Sequence, residues 1–308
     1  MRSTLYAPGD QPVKLAKAVL RSADGVICDL EDAVVLANKE AARVLVAEFI
    51  RDQPASGPAL LVRINWGDLG IEDLRTLIPC CGSNIAAVYV PKVSTVDELV
   101  RVDAELNVLE RRSGLAPGSV SVVALLETAR GILDARLIAG APRVRRLAIG
   151  EADLSADLGV ELTPGDEREM LTARAALVLA SATAGIEPPV GPVSTDFRDL
   201  DALRTSTDRL RRMGFGGRSC IHPAQVGIVN DVFTPTSSEV ERAERLVRLY
   251  DRAVAAGQGV IADDDGKMID EAVVRTARRV VAQHAHLNGS SGSSHHAEGS
   301  SHHAEGIT

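Results

Sequence analysis

Eight short apolar runs recur about every thirty residues along this 308-residue chain, and each stops at a charged or polar residue or at a Pro/Gly turn. They fall near 2–8, 25–30, 59–65, 85–92, 120–127, 145–151, 189–194 and 216–221. Segments with helical periodicity separate them, among them 13–21, 39–51, 96–112 and 166–184. Strict alternation of strand and helix predicts parallel strands joined by right-handed crossovers. Eight such units favour a closed (β/α)8 barrel of the TIM type, an α/β fold, over an open sheet. No Gly-x-Gly-x-x-Gly follows the first run to argue for a dinucleotide-binding sheet.

Aromatic residues make up only 3% of the chain, whereas apolar residues reach 45%. The core must therefore be built from Val, Leu, Ile and Ala, as suits parallel strands covered by helices. With a net charge of −8 and Lys and Arg scattered along the helices, nucleic acid is not an expected partner. No apolar run is long enough to span a bilayer, and the sequence enters a strand at once, so secretion is not expected. Cys28, Cys80, Cys81 and Cys220 show neither metal-ligand nor disulfide-scaffold spacing, so a reducing cytoplasm is expected.

The expected organisation is a barrel over residues 1–235 and a C-terminal helical arm over 236–288, packing on the barrel or on a neighbouring subunit. A disordered Ser/His/Gly tail over 289–308 follows, in which Ser-Ser-His-His-Ala-Glu-Gly occurs twice. The arm should hold helices near 238–256 and 270–286, with the acidic turn Asp263-Asp264-Asp265-Gly266 between them. Asp270 is placed to cap the second helix.

A parallel barrel gathers the C-terminal ends of its strands around one mouth, where charged residues read as chemistry. Two carboxylates there, Glu127 and Asp153, could hold Mg²⁺ together with water, leaving positions open for a substrate. The competing reading ties them to Arg63 and Lys92 as salt bridges. No histidine pair lies in the barrel to favour zinc, and His222 reads as a structural residue near the last loop. Asp29, Glu31 and Asp32 close the second run; Glu31 and Asp32 would hold the metal's waters from outside, or the group would cap the next segment. Arg63 offers a planar fork for a substrate carboxylate, unless Glu31 or Asp32 occupies it. Lys92, beside carboxylates, should stay protonated and so be a poor Schiff-base nucleophile.

Several fragments carry a further signal: Arg2-Ser3 through Pro8-Gly9, Asp29-Leu30-Glu31-Asp32-Ala33-Val34, Val62-Arg63-Ile64-Asn65 and Val90-Pro91-Lys92. Leu126-Glu127-Thr128-Ala129, Ile149-Gly150 through Asp153 and Gly159, Cys220-Ile221-His222-Pro223 with Gln225, and Asp265-Gly266-Lys267-Met268-Ile269-Asp270 complete the set. In that order they resemble the citrate lyase beta-subunit-like family of the HpcH/HpaI aldolase superfamily, which includes malyl-CoA and citramalyl-CoA lyases.

The resemblance implies a TIM-type barrel, usually trimeric, with Mg²⁺ on Glu127 and Asp153 and an oxo-acid carboxylate on Arg63 and the backbone N–H groups of Gly150, Glu151 and Ala152. It implies that Asp270 reaches a neighbouring subunit's site as acid or base, and that Pro8, Gly9 and Lys14 lie near coenzyme A. The implied activity is reversible cleavage of a 3-hydroxyacyl-CoA into an acyl-CoA and a 2-oxo acid. The alternatives are hydrolysis of a malyl-CoA-type thioester, or a beta subunit of a citrate lyase complex acting on an acyl-carrier-protein thioester. Beside a Ser/His tail without a family counterpart, two departures stand out: Arg218 where the family usually has Lys, and Trp66-Gly67 in place of a proline-containing turn. The second bears on oxo-acid specificity.

Overall fold

A computed structural model describes residues 1–163, 167–263 and 266–291. Eight parallel strands close a barrel in chain order: β1 (Ser3–Pro8), β2 (Gly25–Asp29), β3 (Ala59–Arg63), β4 (Ile85–Val90), β5 (Ser121–Leu126), β6 (Val144–Ile149), β7 (Val190–Gly191) and β8 (Gly217–Cys220). Closure is the pairing of β1 with β8, Ser3 opposite Arg218 and Leu5 opposite Cys220. Among the described residues, ten α-helices follow or link these strands: α1 (Pro12–Ala18), α2 (Lys39–Arg51), α3 (Asp68–Cys81), α4 (Val96–Arg112), α5 (Ala129–Leu133), α6 (Ala135–Ala139), α7 (Glu151–Leu158), α8 (Leu171–Ala184), α9 (Leu200–Met213) and α10 (Pro223–Phe233). This is the TIM-type fold expected from the alternation.

Successive strand residues face opposite ways. Val26 and Cys28 pack outward in the large core between strands and helices. Ile27, Leu61, Tyr89, Val123 and Leu125 fill the barrel interior. That parity positions the site: Asp29, Arg63 and Glu127 each stand two residues beyond an interior residue (Ile27, Leu61 and Leu125). The first polar residue of each in-phase series therefore arrives at the mouth.

The expected helices 39–51 and 96–112 coincide residue for residue with α2 and α4; Thr95 and Glu98 form a capping box on α4. Other elements are shorter. β7 keeps only Val190–Gly191, because Pro189 and Pro192 flank it and neither has an N–H for the ladder. α8 begins at Leu171 after a 3₁₀ turn at Arg168–Met170, and the expected start at Asp166 lies outside the described residues. Cys28 and Cys220 are fully buried free thiols, small hydrophobes in practice.

The chain divides into two compact units, Met1–Phe233 and the segment from Thr234 onward. The second holds α11 (Ser237–Ala255), a short antiparallel hairpin of β9 (Ile261–Ala262) and β10 (Met268–Ile269), and α12 (Glu271–Ser291). Tyr250, Ile269 and Val274 form its core. The hairpin was not legible as such; Asp264 and Asp265, in the expected acidic turn, lie outside the described residues. α12 runs five residues past the expected end at His286. The rest of the expected disordered tail, residues 292–308, lies outside the described residues. No helix among the described residues is long and apolar enough to cross a membrane.

Candidate active site

Glu127 follows β5 directly and is 3% exposed. Its Oε1 accepts the Lys92 backbone N–H at 2.8 Å. To make that approach Lys92 holds a left-handed backbone, φ 54°, uncommon for a residue with a side chain. Oε2 has no hydrogen-bond partner among the described residues. Gly150 lies against it: a Cβ there would come within 2.3 Å of Oε2. Burial, helped by the charges of Asp153 and Glu31, pushes the Glu127 carboxyl up to about 8, against the pull of the Lys92 N–H and Arg63. Asp153 sits in the first turn of α7. Both carboxylates line a cavity of about 450 Å³ at the mouth, with Tyr6, Pro8, Asp29 and Arg63.

Neither Glu127 nor Asp153 is ion-paired among the described residues, so the salt-bridge alternative is not what the chain adopts. The cations are engaged elsewhere. The Lys92 ammonium binds Glu31 and lies 3.5 Å from Asp32. Burial alone would lower its pKa, but these carboxylates outweigh burial and raise it, which removes the Schiff-base option.

Arg63 makes a two-pronged pair with Asp29, 2.7 Å from Nε and 2.6 Å from Nη2. Its Nη1 reaches Glu31 at 3.0 Å and Asp32 at 3.6 Å. The guanidinium also lies 5.1 Å from the centre of the Tyr6 ring. The expected rivals for this fork were Glu31 and Asp32; the principal one is Asp29. Asp29 also accepts the N–H groups of Glu31 and Ala33, at 3.0 and 3.3 Å, so it anchors the turn and the arginine together.

The implied backbone cradle needs one correction. The Gly150 N–H is spent on the Leu126 carbonyl at 3.0 Å. The N–H groups of Glu151, Ala152 and Asp153, in the first turn of α7, remain without partners among the described residues, as a helix start leaves them. The Glu151 side chain turns away and pairs with Arg174 at 2.6 and 2.7 Å. Glu151 can thus offer the cavity only its backbone.

Gly9 sits where a Cβ would come within 2.7 Å of the Asp29 carbonyl, and Lys14 is exposed on α1. Asp270 belongs to the second unit, where it accepts the Val273 N–H at 3.0 Å and caps α12 as expected. His222 Nδ1 accepts the Ala224 N–H at 3.2 Å and its ring stacks on Phe197, in keeping with a structural role.

Supporting residues escaped the sequence reading. Buried Asp73 holds the Asn65 backbone and side-chain N–H groups at 2.7 and 2.8 Å, fixing the loop after Arg63. Asp157 accepts the Ala129 N–H at 2.7 Å, and the Ser94 and Thr128 hydroxyls meet at 2.9 Å, tying together the β4 and β5 ends. No sequence signal marked Asp73 or Asp157. Tyr6 could have been found, since it is two residues before Pro8 and shares its side of β1.

An HpcH/HpaI aldolase/citrate lyase family model matches residues 2–223, nearly the whole barrel. The chain belongs to that family. Over 297 residues it is 32% identical to the citrate lyase subunit beta of Leuconostoc mesenteroides subsp. cremoris, covering 95% of this chain and 96% of the relative. Over 284 residues it is 35% identical to a (3S)-malyl-CoA thioesterase of Cereibacter sphaeroides, covering 92% and 94%. Among solved structures it is similar to the protein CitE from Mycobacterium tuberculosis in complex with magnesium, acetoacetate and coenzyme A. There the TM-score is 0.73 and the identity 29%, over 92% of this chain and 98% of the other. The family and these relatives make the protein a lyase or a closely related enzyme.

Proposed function

We propose that the protein is a Mg²⁺-dependent carbon–carbon lyase that reversibly splits a 3-hydroxyacyl-CoA into an acyl-CoA and a 2-oxo acid. One observation carries this reading: a buried carboxylate, Glu127, with a single hydrogen-bond donor among the described residues, lines the same cavity as a second carboxylate, Asp153. The donor set is all oxygen, which suits a hard cation that keeps waters and takes few protein ligands. Among the described residues no group of three or more His, Cys, Asp or Glu offers a richer metal site. The free Oε2 of Glu127, pressed against a glycine that leaves it room, is where a cation would relieve the cost of burial. When bound, Mg²⁺ supplies Lewis-acid stabilisation of charge on the oxygen that is hydroxyl in one direction and carbonyl in the other.

The chain's own groups supply the rest. The free N–H groups at the start of α7 and the remaining N–H groups of Arg63 orient the oxo-acid carboxylate, so that the two reacting carbons meet. In the condensation direction Asp270, contributed by a neighbouring subunit, takes an α-proton from the acyl thioester. The carbanion adds to the 2-oxo carbon, and the new alkoxide takes up a proton; cleavage runs the same steps backwards. Asp29, Glu31 and Asp32 act by holding Arg63 and Lys92 rather than by touching substrate. Pro8, Gly9 and Lys14 are proposed to meet the coenzyme A portion.

The similarity to a malyl-CoA thioesterase supports a second reading, in which water attacks the thioester on the same platform. Products separate the two. Incubating the purified protein with Mg²⁺ and malyl-CoA or citramalyl-CoA should give a 2-oxo acid and acyl-CoA without free CoA thiol. Free thiol with intact hydroxy acid would establish hydrolysis instead. Chelation by EDTA should abolish either reaction, and full activity in EDTA would reject the metal site.

A further inference from the structure

The helix α7 brings Asp153 and the first-turn N–H groups to the mouth, yet it is only 8 residues long. A helix that short is marginal on its own and takes its placement from tertiary contacts. Gly150, at its N-terminal boundary, supplies no side-chain cap. Three side chains of α7 anchor it. Leu154 is fully buried, Asp157 near the far end accepts the Ala129 N–H, and Glu151 meets Arg174 of α8.

The Glu151–Arg174 contact is the directional one at the mouth end. Nε reaches one carboxylate oxygen at 2.6 Å and Nη2 the other at 2.7 Å, two parallel bonds that fix an angle as well as a distance. Leu154, one turn along the same face, contributes burial, which has no preferred direction. Arg174 is itself held in place: it is 1% exposed, and Nη2 also donates to Glu167 at 2.7 Å. A buried ion pair adds little stability over apolar side chains of similar volume. What this one supplies over them is orientation.

We propose that Arg174, which does not line the mouth cavity, is a positioning residue for it. By gripping Glu151 it sets the rotation of α7, and with it the aim of the Asp153 carboxylate and of the N–H groups of Glu151, Ala152 and Asp153. These groups lie within one turn of the tether, so a shift at Glu151 passes to them directly. A misplacement of about 1 Å at a reacting site costs on the order of 100-fold in rate. The proposal rests on the lyase reading above and adds to it a residue outside the cavity.

The test uses the full chain and two replacements of the tether. Arg174→Lys keeps the charge and loses the fork. Arg174→Met/Glu151→Leu removes both members of the buried pair and leaves only the partly exposed Glu167 without its partner. Arg218→Lys is the control, since Arg218 is as deeply buried but hydrogen-bonds Pro192, Ser206 and Thr207 instead. Each protein is melted, titrated by calorimetry with Mg²⁺ and then with glyoxylate or pyruvate, and assayed for condensation of that acid with acetyl-CoA or propionyl-CoA. Both tether variants should bind Mg²⁺ and the oxo acid about tenfold more weakly, with KM for the oxo acid rising in step. KM for the acyl-CoA and the melting temperature should stay near the wild-type values, and Arg218→Lys should leave both affinities unchanged. Wild-type affinities in the tether variants overturn the positioning role. So do an equal loss in Arg218→Lys, a parallel rise in both KM values, or failure of both tether variants to fold; the lyase reading survives each of these. A wild-type protein that neither binds Mg²⁺ nor condenses any of these pairs overturns both.

Discussion

Two buried glutamates at opposite ends of the barrel behave in opposite ways. Glu110, at the end of α4 beneath the N-terminal ends of β5 and β6, is fully buried and accepts five hydrogen bonds. Arg143 grips both its oxygens, at 2.7 and 2.8 Å, while Gly118, Ser119 and Val120 supply the others. Burial alone would raise its pKa; Arg143 and the backbone N–H groups reverse that and hold it at about 2. Glu127, at the mouth, has one donor and is pushed up to about 8. The same side chain is architecture where its charge is answered and a candidate ligand where it is not. The barrel end at which each lies agrees with that division.

Removing each carboxylate should separate the two roles. Glu127→Gln and Asp153→Asn should lower Mg²⁺-dependent turnover by on the order of 10²–10³-fold, as loss of a principal charge-stabilising group does. Thermal stability should be kept, with steady-state kinetics and melting curves run on the same samples. Equal turnover in both variants would dissolve the distinction between the two glutamates. Glu110→Gln or Arg143→Ala should instead cost about 3–5 kcal/mol in urea unfolding, since each strands a buried partner, and should leave kcat of the folded protein unchanged.

The pH dependence of stability should differ in sign. The Glu110 pKa is depressed, so its contribution of about 3 kcal/mol is fully present above the ordinary carboxyl range and is lost as pH falls from about 4.5 toward 2. The Glu127 pKa is raised, so the folded metal-free protein keeps a proton that the unfolded chain gives up. Its stability should fall as pH rises from about 4.5 toward 8. Urea titrations of the metal-free wild type and Glu127→Gln would show this; a wild-type curve no steeper than the variant's in that window would contradict it. The smallest effect is expected at Lys92. Lys92→Gly should be more stable than Lys92→Ala by about 1 kcal/mol, because glycine accepts the positive φ that presents the N–H to Glu127.

Much of this was legible before any coordinates. The alternation of apolar runs and helical segments specified the barrel, and the strand-end residues specified Glu127, Asp153 and Arg63 as mouth residues. The misses have local causes. Prolines at 189 and 192 cut β7 to two residues. The Gly150 N–H joined the sheet instead of the cavity. Asp73 and Asp157 fix the site from helix positions, where an acidic residue usually means only a solvated face.

Sequence alone determined which residues face the mouth, because side-chain direction follows from a period of two along a strand and needs no partner. Only the tertiary structure decided which of the gathered charges are neutralised. Asp29, Glu31 and Asp32 take Arg63 and Lys92, and Glu127 is left with a single backbone N–H. Those pairings join residues more than thirty positions apart through contacts of about 3 Å. Barrel closure, not local pattern, sets distances of that kind.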